Sequence, residues 1–163
     1  MYKKNDYVVY KRNVCKIKDI NKNSFSNKDY YILIPIDDNS LTINIPVENS
    51  EKLLRDIIKK EQAETLIKSI PNIKVINSND KLLEVEYKNL MHSENLEDLI
   101  TIIKTTYLRN DMRLKTGKKI AEKDNEYFNR AEKYLYNELS ISLNMTYNEV
   151  KEYIKTTVEK LEK

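Results

Sequence analysis

The hydrophobic period of this chain changes once, near residue 50, from two to about 3.6, and that switch decides which class of fold the chain can reach. Before it, short β-type runs are separated by polar turns: Tyr7–Tyr10, Val14–Ile20, Tyr30–Ile34 and Leu41–Val47. Cys15 and Ile17 alternate with Lys16 and Lys18, the pattern of a half-buried strand, which puts Cys15 in the core. NKNSFSNKD, Asn21–Asp29, reads as a polar connection and PIDDNS, Pro35–Ser40, as a turn between strands.

Beyond residue 50 the spacing is helical. Asn49 or Ser50 is expected to cap a helix carrying Leu53, Leu54, Ile57 and Ile58, and a second run bears Leu66, Ile67 and Ile70 before Pro71 ends it. A short helical segment is expected around Glu84–Met91. Ser93 or Asn95 then caps a longer helix with Leu96, Leu99, Ile100, Ile103 and Tyr107 inward. The strongest helix runs from about Ala121 to Leu143 and aligns Phe128, Ala131, Leu135, Leu139 and Ser142. Thr146 and Glu149 form a capping box ahead of a last helix with Val150, Ile154, Val158 and Leu161. Strands followed by helices imply α+β or separate domains. Two domains are expected: residues 1–50, a small antiparallel sheet or barrel, and residues 51–163, an all-α bundle.

The run LTINIPVEN, Leu41–Asn49, poses a specific problem. Leu41, Ile43, Ile45 and Val47 share one face, Thr42, Asn44 and Pro46 the other. A proline cannot donate to a sheet ladder, so this strand belongs at an edge, where its unpaired backbone groups await a neighbour.

Several function classes fall away. The chain has one glycine, Gly117, and so lacks a Walker loop or a dinucleotide fingerprint. A single cysteine and a single histidine, His92, supply neither an internal disulfide nor a structural zinc site, and no cofactor or metal is expected. No apolar run approaches the roughly 20 residues that cross a bilayer, and MYKKNDYVVY lacks the apolar centre of a secretory signal; no membrane role and a cytoplasmic location are expected. Net charge is +3, but Lys104, Arg109, Arg113, Lys115, Lys118 and Lys119 cluster against Asp111 alone. That cluster is either a solvated helix end or a surface for an anionic partner.

Enzymatic readings are weaker than structural ones. Asp37 and Asp38 sit in a turn, where aspartate serves local hydrogen bonding. Asp80 followed by Glu86-Tyr87-Lys88 faintly matches a metal-dependent nuclease pattern, but its spacing is short and its context helical. Ser93 beside His92 is better explained as a helix cap.

NDYVVYKRNVCKIKDI, DYYILIPI and LTINIPVENSEKLLRDI resemble the polymerase-interacting domain of the CarD/CdnL transcription regulators, a module shared with transcription-repair coupling factors. KTTYLRNDMRLKTGKKIAEKDNEYFNRAEKYLYNELSISL is similar to the helical half of the same regulators. The resemblance implies a Tudor-like β-domain that binds the β-subunit of bacterial RNA polymerase, followed by a helical domain that touches promoter DNA with low sequence specificity. It implies no enzyme activity, and the protein is expected as a monomer.

On this resemblance Thr42, Ile43, Asn44, Ile45, Pro46 and Val47 form the polymerase-binding strand. Thr42 and Asn44 face the partner, and Ile43 and Ile45 anchor the strand in its own core. Lys81, Lys88, Lys119 and Lys123 are the implied phosphate contacts. Relatives use a tryptophan as a wedge at the upstream edge of the bubble, and this chain has none. Leu82 and Leu83 stand nearest that position, as wedges or as ordinary packing residues. Two further departures concern the front domain: Asn5-Asp6 and Lys11-Arg12-Asn13 replace glycine-containing turns, and Asn44 stands where a basic residue is common. The rival reading is a protein-interaction adaptor without DNA contact.

Overall fold

The computed structural model describes residues 1–23 and 27–162. Five strands are followed by five helices, in two compact units, Met1–Ile58 and Lys59–Lys163. The fold is α+β, with a curled antiparallel sheet of the Tudor-like kind followed by helices.

In the N-terminal unit the strands are β1 (Tyr7–Tyr10), β2 (Asn13–Asn23), β3 (Lys28–Pro35), β4 (Ile43–Pro46) and β5 (Leu54–Asp56), in the order β4-β3-β2-β1-β5. Val8, Cys15, Ile17, Tyr31, Leu33, Ile45 and Leu54 form the core, because alternate side chains of every strand reach the same concave face. Ile43 and Val47 pack at its margin. Burial pushes the Cys15 thiol up to about 11, with Asp37 adding to the shift, so it is an unreactive core group while this unit is folded.

Two sequence expectations change here. Strands β2 and β3 extend to Asn23 and back from Lys28, so the expected polar connection of residues 21–29 is mostly ladder; its residues 24–26 lie outside the described ones. The helix expected over Leu53, Leu54, Ile57 and Ile58 is instead a single 3-10 turn at Ser50–Lys52 followed by β5. Pairing of Val9 with Arg55 and of Tyr10 with Leu54 overrides the local helical spacing. Leu41, expected on the buried face, lies before β4 and is exposed.

The turn between β1 and β2 holds Lys11 at φ 45° and Arg12 at φ 72°, both left-handed. Two-residue hairpins demand that geometry, and asparagine and glycine meet it with least strain. Asn5, at φ 77°, is likewise left-handed. Lys11 is exposed, so Lys11→Asn is expected to stabilise the unit by ~0.5–1 kcal/mol. A thermal melt checks it, and an unchanged or lowered midpoint refutes it.

The second unit contains α1 (Lys60–Ser69), α2 (Asp80–His92), α3 (Leu96–Lys115), α4 (Glu122–Leu143) and α5 (Tyr147–Leu161). Leu83, Tyr87, Leu99, Ile102, Leu135, Leu139 and Val150 are among its buried side chains. Asn95, not Ser93, caps α3 by accepting from the Glu97 N–H, and Thr146 and Glu149 close their reciprocal box ahead of α5. The inward stripe of α3 is rotated from expectation: Ile102 is buried in place of Ile103, and Tyr107 is 61% exposed. On α4 Tyr127 is buried rather than Phe128. Helix α2 begins at Asp80, four residues before the expected start, because the Asn79 side chain accepts from the Leu82 N–H.

Candidate functional site

The edge strand β4 pairs antiparallel with β3, placing Ile43 opposite Leu33, Asn44 opposite Ile32, Ile45 opposite Tyr31 and Pro46 opposite Tyr30. One step further, the Val47 N–H donates to the Asp29 carbonyl at 2.9 Å. Hydrogen-bonded and non-bonded positions alternate along such a pair. The backbone groups of Ile43, Ile45 and Val47 therefore point into the sheet, and those of Asn44 and Pro46 point away from it. The neighbouring ladder agrees: the Ile36 N–H donates to the Val14 carbonyl at 3.0 Å, which turns Leu33 toward β4. Among the described residues of this unit, no strand pairs with the outer side of β4.

Side chains divide with the same parity. Ile45 is buried and Ile43 and Val47 are half-buried, whereas Thr42 and Asn44 are exposed and Pro46 is half-buried. Proline thus occupies a position where an N–H would face outward, and its absence removes nothing from the internal ladder.

The opposite edge is built differently. The Ile17 N–H donates to the Asp6 carbonyl, which by the same alternation turns Arg55 toward β1 and the backbone of Leu54 and Asp56 outward. The outward Asp56 carbonyl already accepts from Arg55 Nη1 at 3.0 Å, and its carboxylate accepts from the Tyr2 hydroxyl at 2.7 Å. With three residues and a filled acceptor, β5 is a blunted edge. Of the two terminal strands of the sheet, β4 is the open one.

In the helical unit, the starts of α2 and α4 converge with the C-terminal half of α3. Asp124 on α4 is only 4% exposed at its side chain; it accepts from the Tyr87 hydroxyl of α2 at 3.0 Å and from Arg109 Nε of α3 at 3.0 Å. Arg109 also pairs with Asp80 of α2 at 3.1 Å. Burial, reinforced by Asp124, holds the Tyr87 hydroxyl protonated far above the usual phenol range. Burial works against the charge of Arg109, but Asp124 and Asp80 together outweigh it and its pKa rises.

This convergence gathers most of the sequence-predicted DNA residues at one end of the bundle. Lys81 and Leu82 lie in the first turn of α2 and are exposed, Leu82 at 55%. Lys119 lies in the α3–α4 connection, where its carbonyl accepts from Arg113 Nε at 2.9 Å, and its side chain is exposed. Lys123, in the first turn of α4, reaches Glu84 of α2 at 3.3 Å, and Lys88 reaches the same carboxylate at 3.5 Å. The Lys123 hydrogen bond holds the Glu84 carboxyl below its ordinary range and raises the Lys123 ammonium in return. Lys88 and Lys123 therefore present a partly neutralised charge.

Leu83 is not available as a wedge: at 5% exposure it packs in the core beside Tyr87 and Met91. Val85, 54% exposed and three residues after Leu82, shares the outer face of α2 and was missed by sequence reasoning. Its signal was present, since i and i+3 apolar residues outside the core stripe mark a second face, but the phase of α2 has to be known first.

The basic cluster is largely structural. Lys104 Nζ donates to the carbonyls of Ile70 and Ile73, Arg109 joins the Asp124 network, and Lys115 pairs with Asp111 at 3.0 Å. The nuclease-like residues are also dispersed: Asp80 pairs with Arg109, Glu86 accepts from Ser78, and Lys88 pairs with Glu84. Among the described residues no group of three acidic, histidine or cysteine side chains is placed to hold a metal, and no helix is long and apolar enough to cross a membrane.

The family model of the CarD-like/TRCF RID domain matches residues 2–58, the length of the N-terminal unit. This unit is a CarD-like/TRCF RID domain. The RID domain is a non-enzymatic, RNA polymerase-interacting module, which gives the chain a transcription-related protein-interaction role. No curated protein matches the chain. The left-handed Asn5, Lys11 and Arg12 belong to this RID domain, so its tight turns are made without glycine.

Proposed function

We propose that this protein regulates transcription initiation: the RID domain adds the outer edge of β4 to a strand of the RNA polymerase β-subunit, and the helical unit contacts promoter DNA near the upstream bubble edge. The observation that carries the reading is an RID domain in which the outer side of β4 is left unpaired, while β5, the edge strand at the other end of the sheet, is blunted. Strand addition draws affinity from backbone groups and selectivity from outward side chains, so Thr42, Asn44 and Pro46 form the contact while Ile43, Ile45 and Val47 hold the strand in place.

Lys81, Lys119 and Lys123 support phosphate contact, and Lys88 lies at its margin. Leu82, with Val85 beside it, is the apolar element available to a base step. Tethering on the polymerase raises the local DNA concentration, and contacts made only with an opened fork favour the open complex. The protein acts without sequence-specific readout.

Charge reversal of Lys119 and Lys123 together is expected to shorten the open-complex lifetime and to lower the salt slope of promoter binding by about two, with polymerase binding intact. Open-complex decay measured across a salt series checks this. An unchanged lifetime and slope would favour the adaptor reading, which the Glu84 pairing of Lys88 and Lys123 also favours.

A further inference from the structure

The residues flanking the open edge carry no charge to repel a second copy of the same edge: Thr42, Ile43, Asn44, Ile45, Pro46 and Val47 are all neutral. Natural proteins commonly blunt such an edge with lysine, a bulge or proline. Here only proline is present within the strand.

We infer that Pro46 is the specificity residue of the docking edge, favouring a foreign strand over a second copy of this chain. The inference rests on the β4 docking reading. The pairing of Val47 with Asp29 places the Pro46 nitrogen on the outer side of β4, where it would otherwise offer a donor. A foreign strand finds both groups of Asn44 and the Pro46 carbonyl, and loses one bond at the end of the edge. A second copy pairs about a two-fold axis through Asn44, bringing Thr42 of each chain opposite Pro46 of the other. The same missing donor is then lost twice, and two Thr42 carbonyls face proline rings. A single residue therefore weakens self-pairing about twice as much as it weakens docking.

Because no internal hydrogen bond uses the position, Pro46→Thr leaves the β3–β4 ladder intact and restores the outward donor. Sedimentation velocity of the full chain over a wide concentration range reads the effect. The Pro46→Thr protein is expected to self-associate roughly tenfold or more tightly than the parent, from two regained backbone bonds. Adding Asn44→Pro to it returns the chain to the parent's behaviour. A Pro46→Thr protein that sediments like the parent at every concentration overturns the inference, as does a parent that dimerises equally well through β4.

Polymerase capture by dilute, monomeric Pro46→Thr protein separates the two readings. Retained or tighter capture is expected. Lost capture alongside increased self-association overturns the docking reading and upholds the role of Pro46 in self-pairing; retained capture without self-association does the reverse.

Discussion

Asn44→Pro is expected to weaken polymerase binding strongly while leaving the RID domain folded, whereas Ile45→Pro, one residue along, is expected to unfold it. The two substitutions differ in which way the lost N–H points and in whether the lost side chain is buried. Ile45 lies at a bonded position of the β3–β4 pair, and its side chain is 4% exposed in the core. Proline there removes a ladder bond and a buried apolar side chain together, a loss of ~4 kcal/mol or more. A unit this small has little stability beyond that. Asn44 is exposed and its N–H faces outward, and Ile43 before it is already extended, as proline requires of its predecessor. The fold should lose about 1 kcal/mol or less.

Docking, in contrast, loses the central donor of the exposed edge and meets a proline ring where the incoming strand should lie. Polymerase affinity is expected to fall by about thirtyfold or more. The Cys15 thiol serves as the folding readout, since it is buried and reacts with a thiol reagent only when the domain opens. Parental affinity in Asn44→Pro would eliminate the β4 interface. A thiol exposed equally in both variants would show that the alternation is assigned the wrong way round.

Strands β1 to β4 were legible as short β-type runs between polar turns, and β3 and β4 alternate within their own segments. Strand β5 escaped it for a physical reason. Leu53, Leu54, Ile57 and Ile58 satisfy a helical spacing, and only β1, more than forty residues earlier in the chain, supplies the ladder that makes Leu54–Asp56 a strand. The boundary expected at residue 50 consequently differs from the division of the structure after Ile58. At the DNA-facing end the lysines were legible as charge, but the carboxylate shared by Lys88 and Lys123 was not, because Glu84 meets Lys123 across two helices. The choice between Leu82 and Leu83 depended on the phase of α2. A helix begun at Asp80 buries Leu83 with Tyr87 and Met91 and turns Leu82 outward. Nothing in the spacing marked Arg109 and Asp124 as partners, since they lie fifteen residues apart on different helices.

That pair carries the largest stability effect expected in the helical unit. Asp124→Ala removes a buried carboxylate that meets both Arg109 and Tyr87, leaving the Tyr87 hydroxyl and the inner face of the guanidinium without their acceptor. Removing one member of a buried ion pair costs ~3–5 kcal/mol; because Arg109 is 30% exposed and retains Asp80, the lower end applies. Asp80→Ala is the matched control. Its carboxylate is 81% exposed, so its loss should cost about 0.5 kcal/mol or less.

Urea unfolding followed by helical circular dichroism should separate the two variants, while Cys15 protection stays at the parental level because it reports the other unit. The network also ties the start of α2 to α3 and α4, and so fixes where Lys81, Leu82, Lys119 and Lys123 stand relative to one another. Asp124→Ala is therefore expected to shorten the open-complex lifetime while polymerase capture persists. Equal stability of Asp124→Ala and Asp80→Ala would mean that the buried contacts contribute no more than the exposed one, and that α2 is positioned by apolar packing alone.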